Sequence, residues 1–588
     1  MTSPVTTLPA RKRPGALATA GAVLALGLAT YAFVSGGYLV TVLGLAAVYA
    51  IFVTGLNFFM GYTGQVSFGQ NAFAAIGGYT SAVLTTGYSW PVFAAMPMGI
   101  ALAALLALAV GFPALRLRGH YLAMATLALG MIVQEIAVQW DAVTMGYTGI
   151  AAIPPLGAFG RELPNDRAQL AALLVALGVA LWASSRLKAS RMGHALSAIA
   201  GSEDAARALG IDVARYKLIA FVIAAAYAAL AGSLFAHFIG FVSPEVFGLH
   251  MVVLGFTMLY VGGIGTVFGP LVGALIISLL PETFRAFKDY QDLAYGAALI
   301  LILIYAPKGL ASLANWRARR GTRPAMSLLK VEGVTQRFGG LTAVDDVSFA
   351  IEAGRVSAII GPNGAGKTTL FNLISGFQTP LAGRIEFAGR DISGMAPHRV
   401  AGCGLVRTFQ LVQLFADLSA HQNVEAGCHL RGKGGLWAAL ARGAGARREL
   451  DEAAAAAREL LDFVGLADRA DLPAASLPYG QQRLLEMARA LAARPSLLLL
   501  DEPAAGLNAL ETDHLVEVIG AIVQRGVSVL LIEHDMSLVM RVASHIVVLD
   551  FGRKIAAGTP AEVQNHPAVL EAYLGGVDLG ETAAAAHG

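Results

Sequence analysis

At 588 residues, with 56% hydrophobic and 14% charged residues and a mean hydropathy of +0.62, the chain is too apolar for one soluble globule and long enough for several domains. Its charge is uneven, 20 Lys and Arg against 11 Asp and Glu up to Ala325 and 22 against 28 beyond it, which predicts a basic membrane half with cationic flanks and an acidic cytosolic half. The net charge of +3 makes no case for nucleic acid, and Cys403 and Cys428 lack Cys-x-x-Cys or Cys/His spacing, so neither a disulfide framework nor a Cys/His metal site is expected.

Behind Arg11-Lys12-Arg13 come the apolar runs Gly15 to Val34 and Tyr38 to Phe59, read as retained spans rather than a cleaved signal, whose apolar core would be shorter. Further spans are predicted at Val66 to Thr86, Val92 to Ala114, Tyr121 to Gln139, Gln169 to Ser185, Leu218 to Phe238, Met251 to Leu280 and Leu293 to Tyr305. With both ends of this half inside, the crossings must be even in number. Met251 to Leu280 would be about 45 Å long as one helix, and Gly262-Gly263-Ile264-Gly265 and Gly269-Pro270 interrupt it, so it is split in two, giving about ten crossings. Of the basic residues in this half, only Arg161, Arg167, Arg285 and Lys288 then lie outside, as the positive-inside rule requires.

Three membrane-half segments depart from plain hydrophobicity. Gly61-Tyr62-Thr63-Gly64-Gln65-Val66-Ser67-Phe68-Gly69-Gln70 places glycines and hydrogen-bonding side chains beside a span, which suits either part of a translocation path or a close glycine contact between helices. Glu135 is a lesser path candidate, near enough to the outer end to reach water. The basic loop Arg186 to Lys217 is too polar to cross, and its Asp204-Ala205-Ala206-Arg207-Ala208-Leu209-Gly210 makes either a compact knob for a partner groove, expected to dock beside Gln410 with Asp204 able to pair with a basic residue such as Arg407, or an amphipathic helix on headgroups. The basic Asn315 to Pro324, with Gly and Pro, marks a boundary, after which Met326 opens what looks like a second, fused protein.

The second half carries a nucleotide site in pieces. Phe338, before Gly339-Gly340, is placed to stack on an adenine ring, or to pack, as an isolated loop phenylalanine more often does. Gly361-Pro362-Asn363-Gly364-Ala365-Gly366-Lys367-Thr368, followed by Thr369, lies between the apolar run Val356 to Ile360 and a predicted helix. Glycines there let backbone N–H groups wrap a triphosphate, Lys367 reaches the β/γ oxygens and Thr368 can ligate Mg²⁺, so the chain is expected to bind ATP or GTP. Gln410 can bind Mg²⁺ or the attacking water through its amide. Leu497 to Leu500 predict a buried strand ending in Asp501, which can hold Mg²⁺, and Glu502, which can deprotonate water. Val529 to Ile532 predict another, ending at Glu533 and His534, whose ring can reach a γ-phosphate from a strand's carboxyl edge.

Gly361 to Thr368, Gln410, Leu477-Pro478-Tyr479-Gly480-Gln481, Asp501-Glu502, Ala505 to Asn508 and His534 resemble, in order, the Walker A, Q-loop, signature, Walker B, D-loop and switch histidine of an ABC transporter ATPase. Within that superfamily Arg407-Thr408-Phe409-Gln410, Tyr479-Gly480-Gln481-Gln482 and the stretch from Gly558-Thr559-Pro560 to Ala572-Tyr573-Leu574-Gly575 resemble Liv-type importers of branched-chain amino acids. Gly61 to Gln70, Gly119-His120-Tyr121-Leu122-Ala123 and Pro307-Lys308-Gly309-Leu310 resemble the matching permease, and Asp204 to Gly210 its coupling loop. The resemblance implies an all-α polytopic membrane domain (1–310), a basic linker (311–326), an α/β P-loop ATPase domain (327–577) and a flexible tail (578–588). It further implies ATP and Mg²⁺ as cofactors, with Leu477, Gly480 and Gln481 contacting nucleotide.

On this resemblance the chain is half of an importer in a bacterial inner membrane, surrounded by lipid, with its ATPase domain cytoplasmic. A second permease, a second ATPase and a periplasmic solute-binding protein complete it, and the solute is a hydrophobic amino acid. A urea or other small-solute importer, or an ATP-gated channel or regulator, are the alternatives. Four residues depart from the pattern: Pro478-Tyr479 replace the signature's Ser-Gly, Asp204 replaces a glutamate, and Asn508 an aspartate.

Overall fold

The computed structural model describes residues 37–283, except 118, 159, 160 and 164, and residues 328–574, except 417, 433–439 and 441–443. The chain divides into two units, Met1–Lys188 with Lys217–Leu313, and Ala189–Tyr216 with Ala314–Gly588. The loop between two membrane helices therefore belongs with the second unit. The runs expected at 15–34 and 293–305, the linker and the tail lie outside the described residues.

The first unit is helical: α1 (Tyr38–Thr63), α2 (Gln70–Gly87), α3 (Val92–Ala114), α4 (His120–Gln139), α5 (Asp166–Lys188), most of α8 (Val213–Ile239), α9 (Leu249–Gly262) and α10 (Gly269–Thr283). Among the described residues five helices, α1, α3, α4, α5 and α8, are long and apolar enough to cross a membrane. In α1 78% of the most apolar stretch is buried, against 22–33% in α3, α4 and α5, which makes α1 a core helix and leaves those three outermost. The break expected within 251–280 falls between α9 and α10.

The span expected from Val66 starts instead at Gln70, and α2 is not among the five. Its polar residues Gln70, Asn71, Ser81 and Thr85 are buried, so protein surrounds it on the faces lipid cannot serve. It packs closely on α8, because a Cβ on Gly77 would enter the backbone of Ala229 and one on Gly232 that of Ala74. Ser233 seals the contact by donating to the Gly77 carbonyl at 2.9 Å. Glu135 is exposed and accepts from Gln139 one turn on.

In the second unit a six-stranded sheet runs β10 (Arg553–Gly558), β9 (His545–Asp550), β3 (Val356–Ile360), β8 (Ser528–Ile532), β7 (Leu497–Asp501), β6 (Leu405–Arg407). All neighbours are parallel except β9 and β10. Strands β3, β7 and β8 are buried at every residue, which is why their sequences are continuous apolar runs rather than alternating ones. An antiparallel sheet, β2 (Leu341–Ile351), β1 (Leu329–Phe338), β4 (Ala382–Phe387), β5 (Arg390–Asp391), adds a second layer. Helices α11 (Lys367–Ile374), α12 (Pro397–Gly402), α13 (Ala420–Gly427), α14 (Ala444–Phe463), α15 (Tyr479–Ala492) and α16 (Ala509–Gln524) cover the core.

Candidate functional site

Because β3, β6, β7 and β8 are parallel, their carboxyl ends open on one edge of the sheet, the place where α/β sheets bind ligands. Gly361 follows β3, Gln410 follows β6, Asp501-Glu502 end β7, and Glu533-His534 follow β8. The loop after β3 bends through Gly364 and Gly366 at φ +84° and +91°, left-handed values that favour glycine, and α11 begins at Lys367. The Lys367 ammonium donates to the carbonyls of Gly361 (2.7 Å) and Pro362 (2.9 Å). Burial pushes its pKa down while the Glu502 charge opposes this. Thr368 is exposed at the helix start and Thr369 half-buried.

Glu502 has left-handed backbone at φ +46°, rare outside glycine and found where surrounding structure enforces it. Three bonds enforce it: the Gln410 amide donates to Glu502 Oε2 at 2.8 Å, the Glu502 N–H donates to the Ile532 carbonyl at 3.0 Å, and Arg483 donates to the Glu502 carbonyl at 3.1 Å. His534 Nδ1 stands 3.9 Å from the same carboxylate. Glu533, pushed up by burial, accepts from the backbone of Ala504 and His534.

Asp501 is buried and paired with Arg407 at 2.7 Å. Arg407 also donates to Asn372 (2.6 Å) and Ser375 (3.1 Å), and the rings of Phe371, Phe377 and Phe409 surround its guanidinium. An Arg407–Asp204 pair across to the loop was one sequence expectation. It does not form, because Arg407 is enclosed around Asp501 and Asp204 binds Arg207 at 2.6 Å.

The signature region enters α15 through Pro478, and Leu477 and Gly480 are buried while Gln481 is partly so. A Cβ on Gly480 would collide with the Glu511 carboxylate. Asn508, where an aspartate is usual, caps α16: its Oδ1 accepts from the Glu511 N–H at 3.0 Å, and Glu511 accepts from the Asn508 N–H at 3.1 Å. Phe338 sits at the turn between β1 and β2, exposed, away from these strand ends in sequence and sheet.

Sequence reading missed the arginines of α15. Arg483, a fully buried side chain, donates to the carbonyls of Phe409 (2.6 Å), Gln410 and Glu502. Arg489, pushed down to about 10 by burial, donates to the Gln413 carbonyl at 2.6 Å, and Glu486 accepts from the Gln413 N–H at 3.3 Å. One helix therefore holds both ends of the segment 409–413. The capping box Asn508-x-x-Glu511 was readable. The arginines were not, since nothing in a helical Arg-x-x-Glu-x-x-Arg says that it is buried.

Residues of the loop 189–216 pack into this unit. Helices α6 (Arg191–Gly201) and α7 (Glu203–Ala208) meet at Ser202, which caps α7 and donates to Gln413 Oε1 at 2.5 Å. A Cβ on Gly201 would come within 2.9 Å of Phe415, and Gly210, at φ +84°, abuts Leu430. Ala205, Ala206, Leu209 and Ile211 are buried in the same apolar core as Phe415 and Val424. The knob is thus a packed one, and the headgroup-lying helix is excluded for these residues, whose apolar faces are already covered.

Three family profiles match the chain: "Branched-chain amino acid transport system / permease component" over residues 38–306, "ABC transporter" over 344–505 and "Branched-chain amino acid ATP-binding cassette transporter" over 553–578. The second half is similar to the high-affinity branched-chain amino acid transport ATP-binding protein BraF of Pseudomonas aeruginosa, 46% identical over 42% of this chain and 98% of the relative. The chain is also similar to the high-affinity branched-chain amino acid transport system permease protein LivM of Escherichia coli, 34% identical over 52% of this chain and 76% of the relative. A crystal structure of an ATP-binding cassette in its ADP conformation is 32% identical over 42% of this chain and 99% of its own, with a TM-score of 0.38.

Proposed function

The chain belongs to the branched-chain amino acid branch of the ABC transporter family, a permease joined to its ATPase, and from that premise we propose that it imports branched-chain or other hydrophobic amino acids across a bacterial inner membrane with its ATPase domain in the cytoplasm. The observation that carries the reading is the bond from Ser202, in a loop between membrane helices, to Gln413, three residues beyond the Gln410 that holds Glu502. Nucleotide chemistry and membrane helices thereby share one short segment.

On this reading the permease spans 1–310, the ATPase 327–577, with 311–326 as linker and 578–588 as tail. The loop Gly361, Pro362, Asn363, Gly364, Ala365, Gly366 with Lys367, Thr368 and Thr369 cradles the triphosphate, and Phe338 stacks on adenine. Glu502 accepts a proton from water as the water oxygen attacks the γ-phosphorus and the β–γ bridging oxygen departs with its electron pair on ADP. Gln410 positions that water, and His534 contacts the γ-phosphate. Leu477, Gly480 and Gln481 face the nucleotide of a second ATPase.

The donor set Thr368 hydroxyl, Asp501 carboxylate and Gln410 amide is all hard oxygen, which suits Mg²⁺ held largely by phosphate and water. When bound, Mg²⁺ would neutralise charge on the β/γ oxygens.

A second permease, a second ATPase and a periplasmic binding protein complete the machine, because one of each is half a two-site pump. The test is uptake into proteoliposomes holding the assembled transporter. ATP-dependent accumulation of leucine against its gradient, dependent on binding protein, is expected. Equilibration without accumulation would show a channel, and accumulation of urea alone would reassign the solute.

A further inference from the structure

Among the described residues of the membrane unit, two short breaks between helices are finished in opposite ways. Between α9 and α10 side chains close the backbone, and the Lys188 ammonium donates to the Gly265 carbonyl. Asn57 of α1 donates to the Thr266 carbonyl at 2.7 Å and accepts from the Gly265 N–H at 2.8 Å, and Thr266 Oγ1 accepts from the Gly269 N–H at 3.0 Å. The other break, residues 64–69 between α1 and α2, is left open. Gly64 ends α1 at φ +68° and Phe68 N–H donates to Thr126 Oγ1 at 3.1 Å. Ser67 Oγ, Gln70 Oε1, Gln70 Nε2 and Asn71 Oδ1 are buried without any hydrogen-bond partner.

These residues are 0–3% exposed, and they straddle the start of the 18-residue helix α2. Buried polar atoms without partners are costly, most of all at membrane depth. Four of them within five residues, beside a break whose backbone is bonded by Asn57, Thr266 and Lys188, mark a place kept polar for something that binds there.

We propose that the start of α2 is a solute site for a zwitterionic amino acid with an apolar side chain, an inference that rests on the importer reading above. The first N–H groups of a helix and its positive dipole end favour a carboxylate, and Ser67 and the Gln70 amide add neutral donors. Gln70 Oε1 and Asn71 Oδ1 are acceptors that suit an ammonium. Residues 61–80 contain no charged side chain, and the Lys188 ammonium that lies over the Tyr62 ring at 4.7 Å is engaged by the Gly265 carbonyl, so a net-neutral ligand leaves no uncompensated charge. Phe68, stacked on Phe256 at 4.7 Å, offers the apolar flank for the solute's side chain. The Tyr79 hydroxyl, also buried and without a partner, lies about 12 Å further along α2 as the next polar stop on a path.

The test uses the full chain assembled with its partner subunits and binding protein in proteoliposomes, with Gln70→Leu and Ser67→Ala as variants and radiolabelled leucine as probe. Each variant is expected to lower ATP-dependent uptake about tenfold or more, the loss of a hydrogen bond to a charged group. In the same preparations the Gln70→Leu assembly should melt no lower than wild type, since an unmatched amide has been replaced by an apolar group. Wild-type leucine uptake with undiminished uptake in both variants would overturn the site and leave it a place for water only. A lower melting point together with lost uptake in Gln70→Leu, and unchanged uptake in Ser67→Ala, would make the segment structural and overturn it as well. No leucine accumulation by wild type would instead sink the importer reading, and this site with it.

Discussion

Gln410 donates its amide to the Glu502 carboxylate at 2.8 Å, so the two side chains assigned to the attacking water already touch each other. On the proposed assignment, nucleotide entering this edge breaks that bond as the two side chains turn towards water and phosphate.

Replacing Glu502 with Gln keeps the shape and removes the proton acceptor. ATP binding is expected to persist while hydrolysis falls by roughly 10² to 10⁴, the usual worth of a general base. Nucleotide binding and phosphate release measured on the same preparation check this, and near-normal turnover would remove Glu502 from the role.

Arg483 gives a sharper prediction, because it works by shape. Its guanidinium reaches three carbonyls, of Phe409, Gln410 and Glu502, and a lysine's compact ammonium cannot span them. Arg483→Lys should therefore lower ATPase kcat by about 10-fold or more, each lost charged hydrogen bond being worth about 1.5–3 kcal/mol, with KM for ATP changed less. A lysine variant with wild-type kcat would show that only charge matters there.

Acid–base balance in α13 should be visible in stability. Burial pushes the Glu425 carboxyl up to about 8 against a weak pull from Arg458, with His421 at 2.9 Å. The folded state therefore keeps a proton that the unfolded chain releases near its ordinary value, and stability falls as pH rises from about 4.5 to about 8. His429 acts oppositely: burial, then Arg191, push it down to about 3, so its contribution is lost as pH drops below about 6.5. The two offset each other in mild acid, which leaves Glu425 unopposed by His429 between pH 6.5 and 8. Thermal unfolding of the purified full chain should show the melting point of Glu425→Gln gaining on wild type as pH rises through that window. A constant difference would mean that Glu425 does not titrate there.

Sequence made the nucleotide elements legible because phosphate binding needs residue types in a fixed order, and a glycine loop between an apolar strand and a helix has few other uses. It made the split of 251–280 legible because a length too great for one span met two glycine clusters. The start of α2 was misplaced by four residues, since Val66 and Phe68 read as apolar span while the chain there is turning. Arg407 was read as an outward partner for Asp204, yet β6, although the last strand of its sheet, is buried at all three residues and its arginine pairs with Asp501. Pairing between distant segments, such as Arg483 with the backbone after β6, leaves no trace in local pattern. Asn508 shows the reverse: a departure from a motif that local capping explains.

The loop 189–216 offers the most direct test of coupling. Sequence placed Asp204 nearest the motor, whereas the structure gives that place to Ser202, whose hydroxyl donates to Gln413 at 2.5 Å, with Gly201 packed on Phe415. Gln413 is held on its other side by Arg489 and Glu486 of α15, and α15 reaches through Arg483 to the carbonyl of Glu502. A change at the nucleotide edge can therefore shift Gln413 by two rigid routes, along 410–413 and along α15. Ser202→Cys with Gln413→Cys, in a chain whose Cys403 and Cys428 have been replaced by Ala, should be joined by a short bifunctional maleimide. ATP with the Glu502→Gln change added, which holds the bound state, should alter the yield. Asp204→Cys with Gln413→Cys should react less, because Asp204 is turned to solvent and tied to Arg207. Equal yields from both pairs, or none from Ser202 in either nucleotide state, would break the link between the loop and the segment after Gln410.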